Sequence, residues 1–309
     1  MQLVRESWRD AKDTIKQRWL QIRAPRPFGP TVAEMQRALA AFERVAGPSP
    51  YEQLDEPVFL LAVSWRTGST LLQRVLMTDP ALLVWGEPWG RMSLLPRLAE
   101  AVVAFRDDWP HLEYMITEVE ADPTETFLSA DLYPPGQDFR AALQQMLHRW
   151  LAAPARERGH SRWGFKEVRL GAPEACLLRW LYPRAKFLVL LRHPFDAYRS
   201  CKHWQLWSRW PDHPVTSAAS FGRHWNHLAM SWRREPLDFP ARFVKYEDLV
   251  SGAFDFRAME AELGLRLDEA KALGTRVGGR PKPGQLTREE AKILAEEARA
   301  GMRAWDYEA

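Results

Sequence analysis

Five polar residues of this 309-residue chain stand at or just beyond the ends of short apolar runs: Arg66, Glu87, Lys166, Arg192 and Tyr246. Cations of this kind can meet the charge of an anionic ligand, and a carboxylate can take a proton from a hydroxyl group. Around the first runs Arg66-Thr67-Gly68-Ser69-Thr70-Leu71. Gly68 admits a backbone conformation closed to other residues, Ser69 or Thr70 is expected to cap a following helix, and the loop amides then converge on one small space. Beside Arg66 and a positive helix terminus, such a nest suits a phosphate-like anion. The plainer reading is a helix-capping turn after a buried strand.

The loop is not a Walker A, which needs a lysine directly before its hydroxyl residue; here Gly68 precedes Ser69 and the cation comes earlier. A nucleoside triphosphate site is therefore disfavoured, while phosphate binding is not. A second junction has the same form. The apolar run 187–191 ends in Arg192-His193-Pro194, Pro194 suits the first turn of a helix, and Ser200 follows Arg192 by eight positions.

The elements that must position these residues are five strand candidates: 58–63, 82–85, 163–169, 187–191 and 242–246. Helical periodicity separates them, over 32–45, after residue 69, over 94–105 and 139–151, around 173–181, over 254–263 and from about 287 to 305. Short buried strands alternating with helices predict an α/β fold. It is expected as a single domain with a mainly parallel central sheet flanked by helices, and with helical insertions over about 91–160. Ligands of such sheets bind beyond the carboxyl ends of the strands, where the five polar residues fall and can share one crevice.

A net charge of +3 without a dense Lys/Arg block argues against a nucleic-acid partner. Cys176 and Cys201 lack metal-ligand or redox spacing and read as buried free thiols. No apolar segment is long enough to span a bilayer, and the N-terminus lacks the form of a secretory signal, so a cytoplasmic protein is expected. The spacing over residues 3–22 predicts a basic amphipathic helix, compatible with peripheral membrane contact through residues 1–23 or, more simply, with docking on its own domain. The domain boundary is expected near residue 50.

With both junctions in view, the chain resembles the sulfotransferases that use 3′-phosphoadenosine 5′-phosphosulfate (PAPS) and release adenosine 3′,5′-bisphosphate (PAP), over roughly residues 57–305. The resemblance implies a P-loop nucleotide-binding-like fold. It implies that Arg66, Thr67, Gly68, Ser69, Thr70 and Leu71 cradle the 5′-phosphosulfate, and that Arg192 and Ser200 bind the 3′-phosphate. The chain looks most like the tyrosylprotein, carbohydrate and bacterial branches, so Glu87 resembles their base, Lys166 their lysine near the transferring group, and Tyr246 a tyrosine on the cofactor. Trp65 stands where many relatives carry proline, and Thr67 replaces the commoner serine. The cytosolic branch's Arg-Lys-Gly loop is absent, leaving Arg280 and Lys282 as candidate replacements.

The implied function is transfer of the sulfuryl group to a hydroxyl acceptor by in-line displacement, with Glu87 as general base and Arg66 and Lys166 stabilising the leaving phosphate. No metal is required. Each role has a rival: Glu87 can cap a turn or pair with Arg91, Lys166 can be a surface charge, and His111, His148 or His203 can serve as base, as histidine does in another branch. A small-molecule kinase on a related fold and a non-catalytic PAP-binding protein are the alternative functions. Acceptor and oligomeric state are not legible.

Overall fold

The computed structural model describes residues 29–46, 55–88, 93–104, 136–204, 208–209, 214–274 and 285–308. The basic helix expected over residues 3–22, Arg91, Arg280, Lys282 and His111 lie outside the described residues, as does the side chain of His203.

Five strands form one sheet: β1 (Val58–Ala62), β2 (Leu82–Gly86), β3 (Arg162–Glu167), β4 (Lys186–Leu191) and β7 (Arg242–Lys245), in the spatial order β2-β3-β1-β4-β7. Every pairing is parallel, so all carboxyl ends share one edge. A separate two-stranded pair, β5 (Ser208–Arg209) with β6 (Pro214–Val215), is antiparallel. The α/β fold, with its parallel sheet flanked by helices, is the one the alternating pattern predicts.

β1 lies at the centre, and all five of its residues are fully buried. Alternation sends them to opposite faces. Phe59 and Leu61 join Phe165, Phe187 and Val189 on one face; Val58, Leu60 and Ala62 join Leu188, Leu190 and Val244 on the other. A strand buried on both faces has no polar position to spare, which is why its sequence reads as one continuous apolar run.

The helices are α1 (Val32–Ala46), α2 (Ser69–Leu76), α3 (Leu94–Val102), α4 (Gly136–Leu147), α5 (Ala153–Glu157), α6 (Ala172–Leu181), α7 (Pro194–Trp204), α8 (Ala218–Ser231), α9 (Tyr246–Ser251), α10 (Phe256–Leu263), α11 (Glu269–Gly274), α12 (Arg288–Glu297) and α13 (Arg299–Ala304). The Phe59 face is covered by α1, α6 and α8; α2 and α10 cover the other. In α1, Met35 and Phe42 are buried, and Phe42 meets Trp180 edge-on with centroids 5.1 Å apart. Two expected helices differ in form. The one expected over 139–151 passes into a π-helical turn at His148–Ala152, and the last breaks at Ala298 into α12 and α13. Trp225 and Trp232 are core residues.

Gly164 marks where β3 comes closest to β1: a Cβ there would lie 2.0 Å from the Val58 carbonyl oxygen. Among the described residues no helix is long and apolar enough to cross a membrane.

Candidate active site

The loop from Ser64 to Gly68 leaves the central strand and turns into α2. Gly68 is the residue before that helix, at φ 92°, and no side chain caps the helix. Ser69 and Thr70 therefore do not cap it as expected; they are its first two residues, because the left-handed turn at Gly68 has already redirected the chain. The amides of Leu71 and Leu72 return to the Gly68 carbonyl. Those of Ser69 and Thr70 find no acceptor among the described residues.

The buried Thr67 hydroxyl donates to the Ser64 carbonyl at 3.1 Å, so its side chain braces the loop. Thr70 is exposed. The ring of Tyr246, first residue of α9, packs against Gly68: a Cβ on that glycine would stand 2.2 Å from Tyr246 Cδ2. Glycine is thus required twice over, by its positive φ and by the ring above it.

The second junction reaches the first directly. Arg66 Nε donates to Ser200 Oγ at 2.9 Å, and Arg192 Nη1 donates to the Arg66 carbonyl at 2.8 Å. The Arg192 guanidinium covers Tyr246, with Cζ 4.3 Å from the ring centroid. Behind it, the Trp225 indole donates to the Arg192 carbonyl at 3.0 Å. Arg192 Nε is buried and takes no acceptor among the described residues. That donor suits one anionic phosphate group, and the Ser69 and Thr70 amides suit another.

On the same carboxyl edge of the sheet, Glu87 follows β2 and its amide donates to the Lys166 carbonyl at 2.7 Å, adding one rung to the β2–β3 ladder. Lys166 Nζ reaches Glu87 Oε1 at 2.5 Å and Arg169 Nη1 reaches Oε2 at 3.1 Å. The possible partner Arg91 lies outside the described residues, whereas these two cations are present. Arg169 also bonds Glu167 Oε1 at 2.8 Å. Burial alone would raise the Glu87 carboxyl, but Lys166 and Arg169 outweigh it and hold the group below the usual carboxylate range. Glu167 goes the other way, raised because its burial outweighs the pull of Arg169.

Two non-glycine residues of the site, Arg66 at φ 63° and Glu87 at φ 39°, occupy the left-handed region. Glu87 precedes a proline, which favours extended backbone, so its conformation is strained. Strain of this kind costs on the order of 1–3 kcal/mol and gathers where function requires a set direction.

The structure thus brings together Arg66, Gly68, Ser69, Glu87, Lys166, Arg192, Ser200 and Tyr246. His148 does not join them: its Nδ1 is 3.6 Å from Asp55, at the opposite end of β1. Arg169 was not singled out by sequence reasoning, although it ends the third strand candidate.

A family model described as the sulfotransferase family matches residues 57–269. The chain belongs to the sulfotransferase family. Among solved structures, a sulfotransferase domain from the Synechococcus PCC 7002 olefin synthase is 19% identical, with 85% of this chain and 100% of that chain covered, at a TM-score of 0.43. A sulfotransferase domain from the curacin biosynthetic pathway is 17% identical, with coverage of 83% and 99%, at 0.44. Sulfotransferase STF9 from Mycobacterium avium is 15% identical, with coverage of 92% and 88%, at 0.41. No curated protein matches the sequence. The matched span runs from before the Arg66 loop to beyond Tyr246 and ends before Arg280 and Lys282. Among the described residues, no group of three or more His, Cys, Asp or Glu side chains is arranged to hold a metal ion.

Proposed function

We propose that this protein transfers the sulfuryl group of PAPS to a hydroxyl-bearing acceptor, a carbohydrate, peptide, lipid or secondary metabolite. The observation that carries this reading is the Lys166–Glu87 pair at 2.5 Å, a cation and a proton acceptor side by side on the same carboxyl edge of the sheet as the Arg66–Gly68 loop. PAPS supplies the activated sulfuryl group when bound.

Arg192 and the Ser200 hydroxyl bind the 3′-phosphate; the Arg192 Nε donor and its seat on Tyr246 support that role. The loop amides of Gly68, Ser69 and Thr70, with Arg66 and the turn set by Thr67 and Leu71, hold the 5′-phosphosulfate. Tyr246 shields that loop from one side. Arg66 and Lys166 stabilise charge on the leaving phosphate, which grows as the bond to sulfur lengthens. Glu87 takes the acceptor's proton; with its pKa lowered it is a carboxylate at neutral pH, as a general base must be. Arg280 and Lys282 are further candidate contacts to the cofactor.

The test is calorimetric titration of PAP, AMP and ATP into the wild type and Arg192→Ala. Tight binding of PAP alone, lost in the variant, supports the reading. Preference for ATP, or indifference to the 3′-phosphate, contradicts it and favours a nucleotide kinase.

A further inference from the structure

Glu87 is held at each oxygen by a different cation, and the two cations are not equally fastened. Lys166 carries a point charge on a flexible stem. Arg169 is anchored by Glu167 Oε1 at 2.8 Å, and that same oxygen accepts the Val168 amide at 2.8 Å. Glu167 is only 1% exposed. The Arg169 guanidinium also lies over Trp65, with Cζ 5.5 Å from the ring centroid, and Trp65 is stacked on His224 at 4.4 Å. Arg169 is therefore fixed by a buried carboxylate and an indole that is itself packed.

We propose that Arg169, fastened by Glu167, is a positioning residue for Glu87: it retains Oε2 and the ionised form while Lys166 leaves Oε1 for the transferring group. This rests on the sulfotransferase reading of the site. Oε1 is then free to accept the hydroxyl proton of the acceptor. The acceptor's O–H bond breaks with its proton passing to Oε1, the acceptor oxygen forms the new bond to sulfur, and the leaving phosphate keeps the electron pair of the broken sulfur–oxygen bond. Without Arg169, departure of Lys166 would leave a partly buried carboxylate with no counter-charge, and its proton affinity would rise too early. Among the described residues, the charged groups that act on Glu87 are Lys166 and Arg169 by contact, with Glu167 behind Arg169.

The test titrates the Glu87 side-chain carboxyl by NMR, assigned with Glu87→Gln, in the wild type, Arg169→Gln and the double variant Glu167→Gln/Arg169→Gln. The double variant guards against misfolding because it leaves no uncompensated carboxylate at residue 167. In parallel, kcat and KM for PAPS are measured across pH with a panel of phenols and alcohols. The Glu87 titration should move to higher pH in both variants, carrying the acid limb of kcat with it. Wild-type KM for PAPS should be kept while kcat falls roughly tenfold or more, and Arg169→Lys should restore the titration more fully than kcat. An unchanged Glu87 titration, or unchanged kcat and acid limb in a wild type that turns over, would overturn the role of Arg169 and leave the sulfotransferase reading intact. Absence of any sulfate ester from the wild type, with the titration still moved, would instead overturn that reading, and with it the catalytic purpose given to the clamp.

Discussion

Arg66 Nε donates to Ser200 Oγ at 2.9 Å, joining the loop after the central strand to the helix after β4 across 134 positions of sequence. Arg192 closes the same link through the Arg66 carbonyl. The two stretches proposed to bind the cofactor's phosphates are thus joined in one structure. Ser200→Ala should remove a hydrogen bond and the restraint on Arg66, weakening PAP by roughly tenfold. Arg192→Ala should weaken it by about 100-fold, since it removes a charged, partly buried donor from the proposed 3′-phosphate site. Calorimetry reads both, with AMP as the control for Arg192→Ala, in which AMP affinity should fall far less than that of PAP.

Gly68→Ala should destabilise the fold. A methyl group would meet the Tyr246 ring, and the positive φ adds backbone strain of about 1–3 kcal/mol. Adding Tyr246→Ala removes the clash but not the strain, so urea denaturation should show only partial recovery. Full recovery would place the whole cost in the ring contact.

Activity should persist on the acid side to a pH below the ordinary glutamate range, because Lys166 and Arg169 overcome the effect of burial on Glu87. The sign follows from linkage. A carboxyl whose folded pKa lies below its unfolded one adds stability above the unfolded value, and loses it as pH falls through the folded value. Lys166→Met takes away one of the two cations that face Glu87 in the free enzyme and should move the acid limb of the kcat/KM profile to higher pH, while lowering kcat itself by roughly 100-fold. The pH–rate profiles of the two proteins test this.

Neither cysteine should react with iodoacetamide in the folded protein at pH 8. Burial pushes both thiols up to about 12; acidic neighbours reinforce this at Cys176, and the pull of Arg66 and Arg192 does not offset it at Cys201. Intact-mass measurement should show no adduct until denaturant is added, and two afterwards.

Most of the sheet was legible because parallel strands buried on both faces are written as unbroken apolar runs, and the polar residues ending them marked its carboxyl edge. What escaped was local geometry. The third strand candidate ran to Arg169, but the ladder ends at Glu167. In a continuing strand, Lys166 and Arg169 would face opposite sides; the bend at residues 168 and 169 lets both reach Glu87. The left-handed Glu87 runs against the preference of a residue before proline, so tertiary contacts alone decide it. The π-helical turn at His148–Ala152 and the two-residue strands β5 and β6 carry no periodic signal at that length.

The most direct test of the central claim is transfer from PAPS labelled in its sulfuryl group to a panel of alcohols and phenols, by wild type and by Glu87→Gln. The account predicts a labelled sulfate ester and stoichiometric PAP with the wild type. With Glu87→Gln it predicts a loss of about 100-fold or more in kcat at unchanged PAP affinity. Full turnover by Glu87→Gln would contradict Glu87 as the base, and phosphoryl transfer from ATP in place of sulfuryl transfer would contradict the account as a whole.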